Sequence, residues 1–188
     1  ADQPPAIVVL PPLFAALVIV LLGQWKEKYS MPVALAACVI TLLSTIALVG
    51  RVAEVGQITY YLGGWQSDAA PIGIHLVVDT LNALVLVVVA VVALIAGVYS
   101  IQTVPKETPG KESLFYALYM LLMCGLLGIT ITGDAFNVFV LLEVSSLTSY
   151  ALIAMGSKSR AAVASFNYVI IGTIGASFYL LGVGYLFA

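Results

Sequence analysis

The chain has 188 residues, of which 62% are hydrophobic and only 9% charged, with a formal net charge of -2. Together with a mean hydropathy of +1.13, that balance describes a lipid-embedded chain and excludes an ordinary soluble domain. Seven basic and nine acidic residues leave no basic stripe for nucleic acid and no acidic tail for a charged soluble partner.

A membrane helix needs roughly 17 to 25 mostly apolar residues. In chain order this template predicts spans over residues 5–23, 31–50, 76–100, 113–132, 134–156 and 161–187. The first follows Asp2 rather than a basic stretch and lacks a small-residue cleavage signal, so it reads as a retained helix. A charged break at residues 25–30 separates it from the second. The long connection 51–74 carries the strand-like run Gln57, Ile58, Thr59, Tyr60 and Tyr61, then Gly63, Gly64 and Trp65. This pattern predicts a hairpin with aromatic residues at the membrane interface. His75 and Asp79 stand four apart at the start of the third span, a spacing that puts them on one helical face as a cap or interfacial pair.

Pro105, Pro109 and Gly110 separate the third run from the fourth, and Gly133 and Asp134 separate the fourth from the fifth, with Asp134 placed to cap the fifth. Cys38 and Cys124 sit inside apolar runs, where a thiol acts as a small hydrophobe. The expected fold is all-α: one transmembrane domain over 1–188, a polytopic bundle of about six spans with a short β-hairpin-like loop, 51–74, on the outer face. Six crossings put Lys26, Lys28, Lys106, Lys111, Lys158 and Arg160 on one side and Arg51 on the other. By the positive-inside bias, both termini are predicted outside.

Glu143 is the most informative residue, a lone carboxylate amid an apolar run. From Asp134 the helix rises about 13 Å to reach it, near the centre of a hydrocarbon layer about 30 Å thick. A charged side chain there costs about 2.5 to 3.5 kcal/mol on insertion scales, so function is the default reading. The alternative is a protonated side chain hydrogen-bonded to a neighbouring helix. Ser146 and Tyr150 follow on the same face and form a candidate proton path, although membrane hydroxyls commonly bond their own backbone. Asn167 on the sixth span is placed to face the helix of Glu143, as interhelical glue or as part of that path. Gly172 and Ala176 make a small-xxx-small pair for close packing. No phosphate-binding loop, metal-type cluster or nucleophile with its base is present in the sequence, so this chain is expected to move something rather than transform it and to hold no cofactor.

The run Thr132, Gly133, Asp134, Ala135, Phe136, Asn137, Val138, Phe139, Val140, then Glu143, then Ser149, Tyr150, Ala151, Leu152, resembles the antiporter-like subunit family. Tyr61 to Trp65, with Gly73, Ile74, Val77, Val78 and Asp79, resembles the same family's outer loop and third helix. The family includes MrpD-type subunits of multisubunit Na+/H+ antiporters, NuoN-like proton-pumping subunits of complex I, and counterparts in membrane-bound hydrogenases. The resemblance implies an N-terminal portion of such a subunit in a prokaryotic cytoplasmic membrane, with other membrane subunits as partners and protons, with or without Na+, as cargo. It implies a non-redox subunit, even within a proton-translocating oxidoreductase. Glu143 matches the family's fifth-helix glutamate, which pairs with a buried lysine. NuoN-like members carry a lysine before a sixth-helix tyrosine, whereas Asn167 precedes Tyr168 here. The rival expectation is a structural or assembly subunit without its own ion path.

Overall fold

The computed structural model describes residues 5–23, 25, 27–62 and 74–187. Its helices are α1 (Leu10–Gly23), α2 (Ser30–Val55), α3 (Thr80–Glu107), α4 (Glu112–Ile131), α5 (Ala135–Ala154) and α6 (Ala161–Phe187). Five are long and apolar enough to cross a membrane. The 14 residues of α1 rise only about 21 Å, and a 3-10 turn at Pro5–Val8 precedes them. Pro11 and Pro12 fall in the first turn of α1, where a missing N–H costs no intrahelical bond. The chain is an all-α membrane bundle with one small sheet.

That sheet corrects the start of the third span. Residues expected to be helical form β2 (His75–Val78), antiparallel to β1 (Ile58–Tyr61), with Ile58 opposite Val78 and Tyr61 opposite His75. Leu76 and Val78 are buried while His75 and Val77 are half-buried, the alternation of a strand rather than the period of a helix. The hairpin's returning strand therefore comes from the third apolar run. Gly63, Gly64 and Trp65 lie outside the described residues, as does Lys26.

Asp79 ends the strand and begins the helix. Its carboxylate accepts from the Asn82 N–H at 2.8 Å, satisfying one orphan donor of the first turn. The Asn82 side-chain amide donates to the Val77 carbonyl at 3.0 Å. His75 and Asp79 thus share no helical face. The His75 ring stacks on Tyr61, with centroids 4.7 Å apart. At its other end α3 runs through Pro105 to Glu107 instead of stopping near 100. Pro105 removes only the bond to the Ile101 carbonyl, and the Thr108 N–H resumes the ladder on Val104 at 2.9 Å.

The core lies among α1 to α4, and α4 is its centre: Tyr116, Met120, Met123, Leu127 and Ile131 are all buried. Gly125 and Gly128 let α5 approach it closely. A Cβ at Gly125 would lie 3.0 Å from the Ser145 Cβ and 3.2 Å from the Ser145 backbone nitrogen. Backbone cannot swing aside as a side-chain tip can. Gly125→Val is therefore expected to lower stability by about 1–3 kcal/mol, read as a fall in thermal midpoint. Gly175→Ala, with nothing within 4 Å of the added atom, should leave the midpoint unchanged or raise it.

The helix ends gather into two clusters. At one end the sheet lies beside the α4–α5 junction, where the Gly133 N–H donates to the His75 carbonyl at 2.8 Å. At the other, Gly23 meets Ser113, and the Ser157 hydroxyl donates to Glu107 Oε2 at 2.8 Å. The helix ends and loops there carry Lys28, Lys106, Lys111, Lys158 and Arg160.

Candidate functional site

Helix α5 is positioned from both sides. Asp134 accepts from the Phe136 N–H at 3.1 Å and so caps its start. The Asn137 side-chain amide donates to the Thr132 hydroxyl at 2.8 Å, tying the first turn back to the end of α4. Along the α4 seam, Ser145 and Thr148 are buried and return their hydroxyls to their own helix. Ser145 donates to the Leu142 carbonyl, and Thr148 to those of Val144 and Ser145, each at 2.9 Å. Ser149 also donates to the Ser145 carbonyl, at 2.8 Å. These groups are satisfied and offer nothing to a ligand.

The α6 seam is different. The Ser165 hydroxyl donates to the Tyr150 carbonyl at 2.8 Å, and the Tyr179 hydroxyl donates to the Ala135 carbonyl at 3.1 Å. The two helices run antiparallel between these anchors. Tyr150 is buried, stands edge-on to Tyr168 with centroids 5.1 Å apart, and fills the notch at Gly172. A Cβ there would overlap its hydroxyl oxygen. The small residue expected to permit close packing is what accommodates this ring.

Glu143 sits between that seam and an uncovered side of α5. It is half-buried, and its neighbours across the uncovered side, Phe136, Val140 and Leu147, are exposed. Among the described residues it makes no hydrogen bond or ion pair. Counting from the Ala135–Tyr179 anchor at helical rise, Glu143 lies about 12 Å along α5 and Gly172 about 10 Å along α6. The Tyr150 hydroxyl, reaching Gly172, is therefore carried to nearly the depth of Glu143. Ser146 is half-buried between them along the chain and likewise makes no hydrogen bond among the described residues.

Asn167 does not join this group. It is exposed and lies about 200° around α6 from Ser165, which faces α5. The expectation that it faces Glu143's helix is corrected: α6 turns Ser165, Gly172 and Tyr179 inward and Asn167 away. Asp79 and Asp134 are helix caps beside the sheet, and His75 belongs to β2. None of the three lies near the depth of Glu143. Sequence reading missed the Ser165 and Tyr179 anchors, since no pattern distinguishes a hydroxyl bonding its own helix from one bonding a neighbour.

No protein-family model matches the chain, but curated relatives do. It is 43% identical to the N subunit of the NADH-quinone oxidoreductase of Desulforudis audaxviator (strain MP104C), over 98% of this chain and 36% of the relative. It is 32% identical to the D subunit of the Na(+)/H(+) antiporter of Bacillus subtilis (strain 168), over 96% of this chain and 35% of the relative. The chain belongs to the antiporter-like subunit family. It spans about a third of the length of those relatives.

Solved structures agree with this membership. The antiporter-like chain superposes with a TM-score of 0.87 and 32% identity on a chain of the membrane-bound sulfane sulfur reductase, an archaeal respiratory membrane complex, covering 97% of this chain and 36% of that one. A chain of the Mrp complex from Dietzia sp. DQ12-45-1b shares the fold, with a TM-score of 0.82 at 23% identity, over 96% of this chain and 33% of that one. Within the motif first quoted for the family, Thr132, Gly133 and Asp134 now have physical roles. They anchor Asn137, admit the strand β2 and cap α5.

Proposed function

We propose that this chain contributes Glu143 to proton translocation, with or without coupled Na+, in a multisubunit energy-converting membrane complex. The observation that carries the reading is the carboxylate at mid-helix on α5, on a side of the bundle that no described residue covers. An ionisable group at that depth is costly and is retained where it faces a pathway or a partner charge. The similar proteins carry the names of subunits of an NADH-quinone oxidoreductase and of a Na(+)/H(+) antiporter, and the second name supports the same reading. The basic partner of Glu143 comes from a segment or subunit beyond this chain, since among the described residues no lysine or arginine pairs with it.

From Glu143 the path runs by Ser146 to the Tyr150 hydroxyl, which the Gly172 notch holds at nearly the same depth. Asn167, turned away from α5, is not on it. The basic end of the bundle faces the cytoplasm and the sheet faces outside, in keeping with the positive-inside bias; residues 5 and 187 then both lie on the outer side. Any redox cofactors of the complex sit on other subunits.

Proton uptake by vesicles carrying the assembled complex tests the reading, with wild type compared against Glu143→Gln. Lost uptake at normal subunit content supports it. Unchanged uptake, or a complex that no longer assembles, gives the chain a structural role instead. Tyr150→Phe keeps the ring in the Gly172 notch and removes only the hydroxyl. It is expected to slow uptake roughly 10-fold or more with no change in thermal midpoint, measured in the same vesicles.

A further inference from the structure

We propose that the groove between α3 and α4 is a phospholipid site, selective for a phosphoethanolamine headgroup held at Lys106 and Glu107. The groove is made of three adjoining pockets that share lining residues. A cavity of about 310 Å³, lined by Val88, Val92, Ala96, Tyr119, Met123 and Leu126 among others, lies deepest in the bundle's apolar belt. Ala96 and Tyr119 also line a cavity of about 400 Å³ that reaches Ser100, Thr103 and Glu107. Tyr99, Thr103 and Glu107 also line a third pocket of about 480 Å³, formed by α3 alone, that carries Gln102 and Lys106 and serves as the mouth. From Lys106 to Val88 the helix rises about 27 Å, more than the 20 to 22 Å depth of a single leaflet with its headgroups. An acyl chain entering at the mouth therefore stays in the groove along its full length.

The chemistry changes along the groove in the sense a lipid requires. Three of the hydroxyls inside it are already satisfied: Ser100 donates to the Gly97 carbonyl at 2.6 Å, Tyr119 donates to the Ala93 carbonyl, and Thr103 donates to the Tyr99 carbonyl at 3.3 Å. Those walls need no further hydrogen bond, and they suit a hydrocarbon chain better than a polar helix face. The mouth is the opposite, with one exposed cation and one exposed anion side by side. Ser157 occupies Glu107 Oε2, leaving Oε1 free to accept from an ammonium while Lys106 donates to the phosphate. A glycerol headgroup brings no cation to Glu107, and a choline headgroup brings no N–H.

The experiment is native mass spectrometry of the full complex, extracted in mild detergent from membranes containing phosphatidylethanolamine and phosphatidylglycerol. Wild type is expected to keep one phosphatidylethanolamine more than either Lys106→Gln or Glu107→Gln. Val92→Trp, which fills the deep cavity from an exposed position, should lose it as well. Retention of phosphatidylglycerol in its place, retention of no lipid, or equal retention in wild type and all three variants would overturn the proposal. The result does not depend on Glu143, whose variants leave the groove intact.

Discussion

Glu143→Gln is expected to lower ion translocation by the complex roughly 100-fold or more, with subunit content and thermal midpoint unchanged. Glutamine matches glutamate in size and cannot titrate, so the substitution removes protonation chemistry and little else. Glu143 makes no hydrogen bond or ion pair among the described residues, so no contact within this bundle is broken. A neutral amide is also cheaper in hydrocarbon than a carboxylate, which pushes any stability change toward the favourable side. Loss of transport without loss of assembly is the signature of a proton carrier. Interhelical glue predicts the reverse, because removing one partner of a buried contact leaves the other unsatisfied. Glu143→Asp sharpens the comparison. It keeps a titratable group one methylene shorter, and it should retain a larger fraction of wild-type flux than Glu143→Gln in the same vesicles.

Hydropathy placed every helix of this bundle because burying apolar side chains in lipid is a property of composition, summed over a whole segment. It failed where composition is indifferent to geometry. Leu76, Val77 and Val78 are as apolar as the helix that follows, and only the alternation of burial, invisible in an all-apolar run, makes them a strand. The true start of α3 was encoded in Asp79 and Asn82, a side-chain cap and a tie-back that read equally well as an ordinary helical face. Pro105 misled in the other direction, since proline in a final turn breaks a single bond. The site divides the same way. The depth of Glu143 follows from counting residues, and its face relative to Ser146 and Tyr150 follows from helical period. The direction of Asn167 does not, because α6 is apolar all round and carries no stripe to say which side meets α5. Only the anchors from Ser165 and Tyr179 settle that rotation.

Gly133→Val is expected to destabilise the chain by about 1–3 kcal/mol through overpacking, and to impair transport although it lies about 15 Å from Glu143 along the chain's helical rise. A Cβ at Gly133 would stand 2.8 Å from Val77 Cγ2 and 2.9 Å from His75 Nδ1, both on the face of β2. Both neighbours are tied to their surroundings. His75 is held by stacking on Tyr61, and Val77 lends its carbonyl to Asn82. The strand must therefore move from the α4–α5 junction, breaking the bond from the Gly133 N–H to the His75 carbonyl and the bridge between Leu76 and Thr132. Thr132 also accepts from Asn137, and Asp134 caps α5, so displacement of the junction shifts the start of the helix that carries Glu143. Because α5 is a rigid rod pinned at that end, a small shift there is transmitted to the carboxylate. Thermal unfolding and vesicle uptake together make the check: Gly133→Val should lower both. Gly182→Ala, a change with no atom within 4 Å, should lower neither. A Gly133→Val complex with normal stability and flux would mean that the junction does not position α5.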